Sequence, residues 1–139
     1  MLDRGHESTQ LANWLASRPC RVELPEAWDD YFDRAGPIPS FPGDNRRFPR
    51  YYIRGRAAMA IIDALPGKPR DESWHGVYTK EISREGLRFL HSEQLFPREK
   101  LQIIMPDGQT RIVEVARCRR VQPACYDVKT RFAPEARTT

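Results

Sequence analysis

Near the end of the chain Tyr126, Val128, Thr130 and Phe132 alternate with Asp127, Lys129 and Arg131, the period-two pattern of a strand with one buried and one wet face. Runs of β-branched and aromatic residues, each closed by turn residues, begin at Tyr51. They predict six strands, over 51–63, 74–82, 87–91, 100–105, 110–121 and 124–132. Pro106-Asp107-Gly108 is the clearest hairpin turn among them. Six strands in so short a stretch predict a small closed antiparallel barrel, an arrangement that leaves no sheet edge exposed.

Upstream the period changes. Ser8 is placed to N-cap a short helix whose Leu11, Trp14 and Leu15 share a face. Leu24-Pro25-Glu26 predicts a second helix, with Pro at its first position and Trp28, Tyr31 and Phe32 as its stripe. Isolated helices shorter than about 12 to 15 residues are marginal in water, so both must dock on the strands. The run 36–43, rich in Gly and Pro, predicts a stiff connector without regular structure. The expected organisation is a helical extension and connector over 1–43, a β domain over 44–133, and a tail over 134–139.

Composition narrows the function classes. The chain has 139 residues, 40% of them hydrophobic and 30% charged, enough for one ordinary domain with an appendage. No apolar run approaches the roughly 20 residues that span a bilayer, and the polar stretch 1–14 lacks an apolar signal core. A soluble cytoplasmic protein without membrane contact is expected. Cys20, Cys118 and Cys125 form no C-x-x-C pair, which argues against a disulfide framework or a zinc site and predicts buried thiols. His6, His75 and His91 are isolated, and no H-E-x-x-H or G-x-S-x-G occurs, so neither an enzyme nor a metal protein is expected. Charge is uneven: residues 1–43 hold four Arg against seven Asp and Glu, a net of −3, so with a whole-chain charge of +4 residues 44–139 carry +7. An anionic partner suits the second part.

Two short motifs lie ahead of predicted strands: Arg46-Arg47-Phe48-Pro49-Arg50 and Glu81-Ile82-Ser83-Arg84-Glu85-Gly86. In this order they resemble the two signatures of the PilZ domain family, R-x-x-x-R and [D/N]-x-S-x-x-G. Tyr126 to Phe132 is similar to that family's Y-x-x-G-x-x-F ending, and the resemblance covers roughly 46–132. Glu81 stands where the family has Asp or Asn, and Lys129 where it has Gly. The resemblance implies a mainly β fold, a six-stranded antiparallel PilZ-like β-barrel with a short helical N-terminal extension. It also implies a receptor for cyclic di-GMP, the bacterial second messenger, that binds its ligand without a cofactor.

By that resemblance Arg46 and Arg50 are the primary ligand contacts, Arg47 reaches a phosphate, and Glu81, Ser83 and Gly86 complete the site. The chemistry is consistent. A guanidinium forms bidentate hydrogen bonds to phosphate and stacks on bases, while Glu81 and Ser83 offer acceptors for guanine N–H groups. Gly86 is expected to supply a backbone conformation closed to residues with a Cβ. Two alternatives stay open. One is a PilZ-like adaptor without nucleotide binding that meets a protein partner through its N-terminal helices. The other, disfavoured by the acidic N-terminus, is nucleic acid binding by a basic face of Arg117, Arg119 and Arg120 with Arg54, Arg56, Arg88 and Arg131.

Overall fold

The computed structural model describes residues 4–39, 48–67, 70 and 73–133. A helix, α1 (Arg4–Ser17), opens the chain. It begins before Ser8, which therefore lies within the helix and not at its N-cap. Leu15 is buried, and Trp14 meets Trp74 edge to face at 5.9 Å. The expected second helix is instead two single 3-10 turns, Glu26–Trp28 and Tyr31–Asp33. The spacing of Trp28 and Tyr31 suits a 3-10 turn as well as an α-helix, because i and i+3 eclipse there. Their rings stack at 6.0 Å, and the buried Tyr31 hydroxyl donates to the Thr79 carbonyl at 2.7 Å.

The Gly/Pro connector contains regular structure that its composition conceals. A two-residue strand, β1 (Gly36–Pro37), pairs antiparallel with Tyr52 and Tyr51, and Ile38 N–H donates to the Arg50 carbonyl at 2.8 Å. Pro is tolerated there because β1 is an edge strand, where one side of the backbone needs no ladder bond. Gly36 takes a φ of +83°, which turns the chain into that pairing.

Six further strands follow: β2 (Arg50–Asp63), β3 (His75–Ser83), β4 (Leu87–His91), β5 (Lys100–Ile104), β6 (Thr110–Gln122) and β7 (Cys125–Phe132). They lie within two residues of the expected spans, but the sheet has seven strands, not six, because β1 joins it. The order is β1-β2-β3-β4-β7-β6-β5, every pairing is antiparallel, and β5 returns to β2, so β2 to β7 close a ring of six. One edge of β2 serves two partners: β1 pairs with Tyr51 and Tyr52, and β5 with the stretch from Ala58 to Asp63. At the β5–β6 turn Gly108 adopts a φ of +88°, and Gln109 N–H donates to Asp107 Oδ1 at 2.9 Å.

Inside the ring Met59, Phe89, Leu101, Ile103, Val113 and Val128 belong to one fully buried cluster. A second cluster, Val22, Tyr31, Leu90 and Cys125, is where the N-terminal segment docks on the outside of β4 and β7. The expectation of buried thiols holds for Cys125 alone, since Cys20 and Cys118 are half-buried. Among the described residues no helix is long and apolar enough to cross a membrane.

Candidate functional site

The two motifs meet where β2 begins and β3 ends. Arg50 is opposite Ser83 in the ladder, and Tyr52 is opposite Glu81. The register of β3 against β4 slips between Thr79 and Glu81, a bulge that lets Lys80 and Glu81 both reach the outer face. Arg50 Nη1 donates to Glu81 Oε1 at 2.7 Å, and Arg88 Nη1 approaches the same oxygen at 3.3 Å. Arg88 also grips Asp127 with two bonds, Nε to Oδ1 at 3.1 Å and Nη2 to Oδ2 at 2.7 Å, and Lys80 Nζ reaches Oδ2 at 2.6 Å. The result is a continuous chain of charge from Arg50 through Glu81, Arg88 and Asp127 to Lys80.

Burial works to raise the Asp127 carboxyl, but its hydrogen bonds and charge contacts with Arg88 and Lys80 outweigh that and hold it below the usual carboxylate range. Arg88 shows the reciprocal effect: burial works to lower it, while Asp127 and Glu81 raise it further above its ordinary value. Both shifts favour the charged forms.

Ser83 and Gly86 close the β3–β4 turn, with Ser83 N–H donating to the Gly86 carbonyl at 2.9 Å and Glu85 N–H to Ser83 Oγ at 3.2 Å. The turn is laid on β7, where Phe132 N–H donates to the Glu85 carbonyl at 2.9 Å. Gly86 is required for a reason other than the one expected. Its φ is not in the left-handed region. A Cβ there would fall on the Thr130 carbonyl oxygen and lie 2.9 Å from Arg131 Cα, so the glycine permits close backbone approach.

These groups border a cleft of about 200 Å³. Of the expected site residues, Arg50, Glu81, Ser83 and Gly86 line it, while Arg46 and Arg47 fall outside the described residues. Arg88, Arg117, Lys129 and Arg131 line it too. The sequence marks Lys129 only as a departure from the Y-x-x-G-x-x-F ending, and joins the other three with Arg54, Arg56, Arg119 and Arg120 only as one basic surface. That surface is in fact divided. Arg54 lies over the Tyr31 ring at 4.1 Å and donates to the Lys80 and Tyr31 carbonyls, while Arg56 donates to the Ala16 and Arg18 carbonyls. Both arginines fasten the N-terminal segment, and neither lines this cleft. The cross-strand register, which sequence alone does not supply, is the signal that unites Arg88, Arg117, Lys129 and Arg131, while Arg119 and Arg120 do not line the cleft.

The cleft is cationic, with five basic side chains on its lining against the carboxylates of Glu81 and Glu85. Its volume is below the roughly 300 to 1,000 Å³ of ordinary small-molecule pockets, so a nucleotide-sized ligand would rest on an open face. His91 lies elsewhere, buried with neither ring nitrogen hydrogen-bonded. Burial first, then the charges of His75 and Arg70, push its pKa down to about 3, so it stays neutral. Among the described residues no three His, Cys, Asp or Glu side chains gather to hold a metal ion. No protein-family model and no curated protein sequence matches the chain.

Proposed function

We propose that this protein is a cyclic di-GMP receptor of the bacterial cytoplasm, a binding module with a PilZ-like β-barrel, and that the cleft at the meeting of β2 and β3 is its ligand site. The observation that carries this reading is the 2.7 Å contact of Arg50 with Glu81, which joins the two motifs across paired strand ends at the border of a cationic cleft. Arg50 and Arg88 supply planar cations for phosphate and guanine O6/N7. Both engage Glu81 through Oε1, so Oε2 stands outside these contacts as an acceptor for guanine N1–H and N2–H.

A ligand phosphate must compete with Glu81 for Arg50. A hydrogen bond to a charged group contributes on the order of 1.5 to 3 kcal/mol, so that competition weakens binding without preventing it. The same contact also favours the second reading, an adaptor in which Glu81 satisfies Arg50 permanently and the N-terminal aromatic surface meets a protein. Phe32, 48% exposed beside Tyr31 and Tyr78, would be its contact.

Isothermal titration calorimetry with cyclic di-GMP at near-physiological salt separates the two. The receptor reading expects saturable heat from the wild type and none from Arg50→Ala. No heat from the wild type up to about 100 μM ligand, a bound of roughly −5.5 kcal/mol, would favour the adaptor.

A further inference from the structure

β4, β7 and β6 run side by side, and their register sets Arg88 opposite Lys129 and Lys129 opposite Arg117. Residues directly opposed in an antiparallel pair share a face, so three cations form one row across the sheet. Arg88 has its counter-charges in Asp127 and Glu81. Lys129 and Arg117 are both exposed, and no ion pair between described residues engages either. Arg131 lies two residues further along β7 on the same face, but Glu114 stands opposite it. The uncompensated charge therefore centres on Lys129 and Arg117. Like charges set directly opposite destabilise a sheet, and this pair lines the same cleft as Arg50.

We infer that Lys129 and Arg117 form a phosphoryl-binding subsite on the β7–β6 wall of the cleft, separate from the Arg50–Glu81 end. Two such cations suit a phosphate group, whose oxygens accept from both at once. Neighbouring strands lie about 4.8 Å apart, and two strand spacings, β3 to β4 to β7, separate Glu81 from Lys129. The two ends are thus roughly 10 Å apart along the sheet. A ligand with phosphates on two nucleotides spans that separation, one phosphate at each end. For its ligand this inference rests on the dinucleotide reading above, and it assigns the second phosphate to Lys129 and Arg117.

The test is an NMR titration of the full chain with inorganic pyrophosphate at near-physiological salt, following backbone amides, alongside calorimetry with cyclic di-GMP. Pyrophosphate is expected to shift the Lys129 and Arg117 amides saturably and leave those of Arg119 and Arg120, exposed on the same β6 strand, in place. The double variant Lys129→Gln/Arg117→Gln, whose changes are both at exposed positions, should lose that response and bind cyclic di-GMP roughly tenfold more weakly. No shift on β6 and β7, or equal shifts at Arg119 and Arg120, would overturn the subsite. So would unchanged cyclic di-GMP affinity in the double variant, which leaves the dinucleotide reading standing. Saturable pyrophosphate binding without any cyclic di-GMP binding would keep the subsite and remove that reading instead.

Discussion

Asp127 anchors the outer-face charge network, and its environment makes a pH dependence. A carboxylate whose folded pKa is depressed stabilises the fold at pH above its unfolded value of about 3.9, and that contribution is lost as pH falls through the lower folded value. Asp127 is such a group, so acidification below about pH 4 should erode stability. Asp127→Asn cannot ionise and should flatten that acid limb. At neutral pH it should cost about 3 kcal/mol, the low end for removing one partner of a buried pair, because Arg88 and Lys80 are partly exposed. Urea unfolding of both proteins between pH 7 and pH 3 measures each effect, and an acid limb as steep in the variant as in the wild type would contradict the account. Arg50, Glu81, Ser83 and Gly86 were legible in the sequence because each motif is local. Lys80, Arg88 and Asp127 were not, because they meet only through the bulge in β3 and the pairing of β4 with β7.

Among elements, legibility follows from how much of the pattern is local. The strands from β2 to β7 are marked by β-branched and aromatic runs closed by turn residues, with period-two alternation in β7, and their bounds are close to those expected. The N-terminal turns stopped short of a helix because Tyr31 is fixed by its bond to the Thr79 carbonyl, a partner remote in sequence. β1 was hidden by its Gly and Pro, since its structure derives from the neighbouring β2 and not from its own residues. The Ser83–Gly86 turn depends on a neighbour in the same way. Gly86→Ala would press a Cβ onto the backbone of Thr130 and Arg131, which cannot move as a flexible side chain can. Overpacking of this kind costs typically 1 to 3 kcal/mol. The turn is expected to lift from β7, with faster hydrogen exchange at the Phe132 amide that donates to the Glu85 carbonyl. Wild-type stability and unchanged exchange in the variant would show that the close approach is not required.

At the scale of the whole molecule, the charge asymmetry suggests that the acidic first part is held to the basic second part by ion pairs. Between described residues no ion pair crosses that boundary; Arg54 and Arg56 hold the N-terminal segment through backbone carbonyls instead. The segment is tied to the site at a second point, where Ile38 donates to the carbonyl of Arg50 itself. A ligand that fixes Arg50 therefore fixes the backbone on which β1 is paired, and should raise the exchange protection of the Ile38 amide and alter the fluorescence of Trp28 in the docked segment. Coupling of this kind is reciprocal. On the receptor reading, Ile38→Pro, which lacks the donor, should weaken cyclic di-GMP binding by the factor that the ligand adds to Ile38 protection, on the order of fivefold for a coupling near 1 kcal/mol. If saturating ligand leaves both exchange and fluorescence unchanged while Ile38→Pro binds as the wild type does, the N-terminal segment is a passive cover over β4 and β7. If both move by matching amounts, the edge strand hidden in the connector is the route by which occupancy of the cleft reaches the aromatic surface around Phe32.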